Sequence, residues 1–151
     1  MLPRAAPLTS TLCLMKSLRD IAQFNSTLFV PALPETSQVN PQVYGAELAY
    51  WLAIELARRG CITSYPNAED WGWFIEFFPE SGSEFAVHCS NIDGSPNQWL
   101  LSLRRHARKM FGRDKPPYEE AQQLVEAIRT LLEGTPEIKQ LEWVYETSSE
   151  A

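Results

Sequence analysis

The chain has 151 residues, 44% of them apolar and 21% charged, with thirteen Lys and Arg against nineteen Asp and Glu for a net charge of −6. That length and balance describe one folded domain able to bury a core without disulfides or metal, and they exclude a disordered, fibrous or collagen-like chain. An acidic total disfavours nucleic acid and anionic membranes unless the charge is unevenly placed, and no run approaches the roughly eighteen apolar residues of a membrane span.

Residues 1–15 read as a disordered N-terminal extension. Arg4 precedes only a short apolar run, Leu12-Cys13-Leu14-Met15, and Met15 offers a second start. Such a run is too short for a secretory segment. From Lys16 to Phe24, apolar Leu18, Ile21, Ala22 and Phe24 suit a turn or two of helix or an ordered lead-in. Thr27–Val30 reads as a short strand stopped by Pro31 and Pro34.

The strongest helix is expected from Asn40, a good N-cap followed by Pro41, to Arg58 and Arg59, with Gly60 closing it. At about 19 residues it would be about 28 Å long. Leu48, Ala49, Leu52, Ala53 and Leu56 form its inner stripe. Tyr50, Trp51 and Ile54 lie on other sides. A helix apolar over most of its circumference is either covered twice or offers a surface to a partner.

Several strands follow. Cys61–Tyr65 is one, ended by Pro66. Trp71–Phe78 is a second, apolar on both faces and therefore expected to be central and covered on both. Glu84–Ser90 places Phe85, Val87 and Cys89 opposite Ala86 and His88. Asn91–Asn97 is turn chemistry, and Gln98–Arg104 supplies Trp99, Leu101 and Leu103 to one side. A second helix is expected from Pro117 or Tyr118 to Glu133, with Leu124, Ile128, Leu131 and Leu132 inward. A last strand is expected within Ile138–Tyr145. The expected organisation is one α+β domain over 16–146 with a polar, disordered tail over 147–151. Its sheet would be mainly antiparallel, of five to six strands, with two main helices on one face in the order β-α-β-β-β-β-α-β.

Chemistry is thinly signalled. Cys13, Cys61 and Cys89 are odd in number and widely spaced, which suits reduced thiols and a cytoplasmic setting. His88 and Cys89 are strand neighbours and point to opposite faces, so they form no nucleophile–base pair. Glu69, Asp70, His88 and Asp93 are the polar groups from which a small catalytic or ligand site would be built, although Asp93-Gly94 is better explained as a turn. No phosphate-loop, dinucleotide, nucleophile-elbow or zinc-helix motif occurs, so no catalytic, cofactor or metal residue is assigned.

Six of the thirteen basic residues, Arg104, Arg105, Arg108, Lys109, Arg113 and Lys115, fall within twelve positions. Such a stretch can contact phosphates, pair with an acidic protein or simply be solvated.

Two segments, Asn40-Pro41-Gln42-Val43-Tyr44-Gly45-Ala46-Glu47-Leu48-Ala49-Tyr50-Trp51-Leu52 and Glu69-Asp70-Trp71-Gly72-Trp73, resemble a group of small bacterial proteins that combine a helix with a Trp-rich strand. The resemblance spans roughly residues 25 to 146 and implies a bacterial, cytoplasmic origin; it carries no activity. The expected function is a non-enzymatic protein-interaction module of the immunity, inhibitor or adaptor kind, binding a protein partner or a second copy. The candidate surface is Tyr50, Trp51, Ile54, Arg104, Arg105, Arg108 and Lys109. The alternatives are a small enzyme or ligand-binding domain at Glu69, Asp70, His88 and Asp93, and, less favoured, nucleic-acid binding through Arg104–Lys115.

Overall fold

A computed structural model of the chain describes residues 18–106 and 115–144. Strands β1 (Leu18–Asn25), β2 (Asn67–Glu69), β3 (Gly72–Phe77), β4 (Phe85–Asn91), β5 (Gln98–Arg105) and β6 (Lys139–Trp143) make one sheet. Their order across it is β2-β3-β4-β5-β1-β6, and every neighbouring pair is antiparallel. The helices are α1 (Ala46–Arg58) and α2 (Gln122–Glu133), the second extended at its start by a 3-10 turn over Tyr118–Ala121. The fold is α+β, in the order expected.

Alternation decides the layers. Ile75 and Phe77 on β3, Phe85, Val87 and Cys89 on β4, and Trp99, Leu101 and Leu103 on β5 are all buried. They meet Leu48, Leu52 and Leu56 of α1 and Leu124, Ile128, Leu131 and Leu132 of α2 in one core. Each fully buried Leu or Ile of this kind stabilises the fold by roughly 1.5–3 kcal/mol. Helix α1 lies over β3 and β4 and also touches α2, so both helices sit on one side of the sheet.

Five expectations are corrected. The first strand is Leu18–Asn25, where one or two helical turns or a lead-in were expected. A bulge between Asp20 and Ala22 lets adjacent Ile21 and Ala22 both become fully buried. Such a bulge erases strand alternation from the sequence. Thr27–Val30 is not a strand but part of a turn beside the sheet. Phe29 plugs the core there, its ring edge-on to Trp99 at 6.1 Å and 5.0 Å from the Trp51 ring. Ser26 holds this turn: its hydroxyl accepts the Leu28 N–H and its carbonyl accepts the Trp99 indole N–H.

Helix α1 begins at Ala46, not at Pro41. The Asn40 side chain, instead of capping, donates to the Asp70 carbonyl at 2.7 Å, and Asn40–Val43 closes a turn of its own. Gly45 then starts the helix at φ +148°, with its site pressed against the Cys89 carbonyl, where no Cβ fits. At the other end Gly60 takes the left-handed position expected of it, φ +82°.

Cys61–Tyr65 forms only a bridge from Thr63 to Phe77, because Asn67–Glu69 occupies the neighbouring position on β3. Finally, Trp71–Phe78 is not covered on both sides. Trp71 belongs to the β2–β3 turn, and the face of β3 that carries Phe74 and Glu76 is only partly buried.

Candidate functional site

The sheet face away from the helices carries cross-strand rows set by register. Asn67, Phe74, His88, Ser102 and Asp20 lie in one row across five strands, from β2 through β3, β4 and β5 to β1. Glu76, Ala86 and Arg104 form the next. No helix among the described residues covers these rows. Together with Glu69, Trp71, Arg105, His106 and Lys115, members of the two rows line a hollow of about 580 Å³.

Its centre is aromatic. The Trp71 ring stacks on His88 at 4.0 Å between centroids with 25° between planes, and Phe74 stands 6.0 Å from Trp71. Trp71 keeps 41% of its surface exposed. Burial pushes the His88 imidazole down to about 4, and the positive charges of Arg104 and His106 push the same way. His88 is therefore neutral at physiological pH.

The polar groups divide by strand: Glu69 and Glu76 stand on β2 and β3, Arg104 on β5 and His106 just past its end, and Lys115 also lines the hollow. Arg104 is exposed and makes no hydrogen bond or ion pair among the described residues. Arg105 is engaged elsewhere: its guanidinium lies 4.5 Å from the Tyr118 ring and donates to the Pro116 carbonyl at 3.3 Å. His106 faces Glu84, Nδ1 to Oε1 at 3.7 Å.

Asp20, Ser102 and His88 bring an acid, a hydroxyl and an imidazole into one row. The Ser102 hydroxyl donates to Asp20 at 2.7 Å, so its proton is directed away from the imidazole. A nucleophilic serine needs the histidine between hydroxyl and carboxylate. Here the serine is in the middle, and it is buried. The Cys89 thiol lies on the helix side of the sheet, fully buried, and desolvation raises its pKa far above the thiolate range. Among the described residues no group of His, Cys, Asp and Glu is placed to hold a metal ion.

Two of the four polar residues proposed from the sequence, Glu69 and His88, meet in this hollow. Asp70 and Asp93 do not line it. Asp70 offers its carbonyl to Asn40, and Asp93 sits at φ +51° in the β4–β5 turn, ahead of Gly94 at +74°. That pair of positive angles, closed by the Ser95 N–H donating to the Ile92 carbonyl at 2.9 Å, is the kind of turn that Asp-Gly favours.

The proposed interaction surface divides as well. Tyr50 and Ile54 are about half exposed on the outside of α1. Trp51 is half-buried under Phe29, and Glu47 beside it accepts the Ala32 N–H at 3.0 Å. The connection 26–33 therefore covers that side of the helix. Arg104 projects from the opposite face of the sheet, so the helix group and the basic group are separate surfaces. Arg108 and Lys109 lie outside the described residues.

Phe74, Glu76 and Ala86 were not read as site residues from sequence. The signal that could have found them is the same alternation that placed the core, read for its other phase.

No family model matches the chain, and no curated protein or solved structure matches it. Among the described residues no helix is long and apolar enough to cross a membrane.

Proposed function

We propose that this chain is a non-enzymatic protein-interaction module of a bacterial cytoplasm, of the immunity, inhibitor or adaptor kind. Its working surface is the open face of the sheet rather than the outer side of α1. The observation that carries the reading is a half-exposed Trp71 beside Phe74, on a face that no helix covers among the described residues, with Arg104 making no hydrogen bond or ion pair among them. Trp and Arg within a polar rim are the residues on which protein interfaces concentrate their energy. The reactive-looking groups on this face are engaged with one another: His88 stacks under Trp71, and Ser102 donates to Asp20. They shape a surface rather than attack a substrate.

A second reading, a small-ligand site, is favoured by the convergence of Glu69, His88 and Trp71 on a hollow of about 580 Å³. That volume lies within the range of ligand pockets.

The test is a photo-crosslinking residue placed at Glu76 and, in a separate protein, at Ile54, each expressed in bacterial cells. The expected result is one recurring adduct from position 76, identified by mass as a defined polypeptide and abolished by Trp71→Ala. An adduct from position 54 alone, or from neither position, would reject the open face as the working surface.

A further inference from the structure

The charges around the hollow are arranged as two sides, and that arrangement restricts what it accepts. The stretch 104–115 holds six basic residues and one acidic, Asp114, which leaves seven basic against eighteen acidic in the rest of the chain. Arg104 and His106 bring one end of this stretch to the β5 side of the hollow, where Glu84 faces His106, and Lys115 at the other end also lines it. Glu69 and Glu76 stand across from them beside Trp71 and Phe74. An occupant must therefore place its negative charge over β5 and something uncharged over β3.

A nucleic-acid strand meets this poorly. Its phosphates recur at every nucleotide, so some would fall against Glu69, Glu76 or Asp20 wherever the bases stacked. A polypeptide can confine its acids to one side of an apolar anchor. Phe74 and Arg104 are separated by two inter-strand gaps and by one row along the strands, about 12 Å at the usual spacings, and an extended chain covers that in about three to four residues.

Resting on the open-face reading above, we infer that the occupant is a peptide segment of a partner protein with an aromatic or large aliphatic anchor. Its acidic residues begin about three to four positions to one side of that anchor. The anchor fills the space beside Trp71 and Phe74, and the leading carboxylate pairs with the Arg104 guanidinium. Charge-assisted, bidentate pairing of this kind gives orientation as well as affinity. Reversing the segment would set its acids against Glu69 and Glu76.

The experiment uses short labelled synthetic peptides and fluorescence anisotropy on the full chain. One peptide carries a Phe anchor with glutamates on one side only; controls are its all-glutamine counterpart, a version with glutamates directly flanking the anchor, a lysine counterpart, and an oligouridylate strand. The one-sided acidic peptide is expected to bind at least about tenfold more tightly than each control. Arg104→Glu should abolish that binding and transfer part of it to the lysine peptide, which a general loss of fold cannot do. Because Arg104 is an exposed strand residue, this variant keeps the test valid if Trp71→Ala fails to fold.

Equal binding of acidic and glutamine peptides overturns the inference, as does tighter binding of the oligouridylate. If none of the peptides binds while crosslinks from position 76 persist, the acidic segment is wrong and the open-face module stands. If those crosslinks are absent as well, both fall.

Discussion

The Trp71 indole lies flat on the His88 imidazole, 4.0 Å away, and joins a turn between two strands to the middle of a third. The contact helps to bury the imidazole on a face that no helix covers among the described residues, and burial, with Arg104 and His106 adding to it, holds its pKa below the ordinary value. Its first consequence is a pH dependence. The folded value, about 4, is below that of free imidazole, about 6.5, so the unfolded chain binds the proton more readily. The contribution is present in full above pH 6.5 and is lost as the pH falls toward 4. After allowance for solvent access it amounts to about 1–2 kcal/mol. Urea midpoints measured from pH 7 to pH 4 should fall along this window, and His88→Phe should flatten that part of the curve. An imidazole resonance for His88 titrating near 6.5 would contradict the shielding.

Gly45 and Gly60 flank α1 and should respond differently to alanine. Gly45 has φ +148° and its Cβ position runs into the Cys89 carbonyl, whereas Gly60 at +82° has open space around it. Gly45→Ala is expected to cost about 3 kcal/mol and Gly60→Ala about 1 kcal/mol. Chemical denaturation of the two variants gives the comparison. Equal losses would place the helix start elsewhere.

Ser83 is fully buried, and its hydroxyl donates to the Glu120 carboxylate, which also accepts from Ser81 at 2.7 Å. This ties the β3–β4 turn to the 3-10 turn ahead of α2. Ser83→Ala should cost about 1.5–3 kcal/mol. A double-mutant cycle with Glu120→Gln should show coupling above about 0.5 kcal/mol. Strictly additive effects would mean that the two elements are held by packing alone.

Leu52 and Ile54 are two residues apart on α1, one fully buried and the other half exposed. Leu52→Ala is expected to destabilise by about 2–5 kcal/mol, and Ile54→Ala by no more than about 0.5 kcal/mol. A loss at Ile54 that is small in dilute solution and grows as protein concentration rises would reveal a self-association surface on the outside of α1 and weaken the open-face reading.

Where the sequence could be read, it was read through periodicity. Phe85, Val87 and Cys89, then Trp99, Leu101 and Leu103, alternate without interruption, and Leu48, Leu52 and Leu56 recur one helical turn apart. These patterns are local, so the antiparallel sheet, its two helices and their order were legible from residue spacing.

Other features depended on contacts between distant parts of the chain. Ile21 and Ala22 sit side by side in the core because β1 bulges against β5, and no local pattern announces a bulge. Asn40 looked like a helix cap until Asp70, 30 residues away, recruited its amide.

The site depended most on the tertiary structure. Alternation groups Phe74 with Glu76 and Ala86 with His88, but it is silent on whether anything covers them. Both apolar helix stripes were used on the opposite side of the sheet, and among the described residues no helix covers this face, over which Trp71 folds. Spacing along a chain determines which side chains share a face; only the packing of layers determines which face stays open.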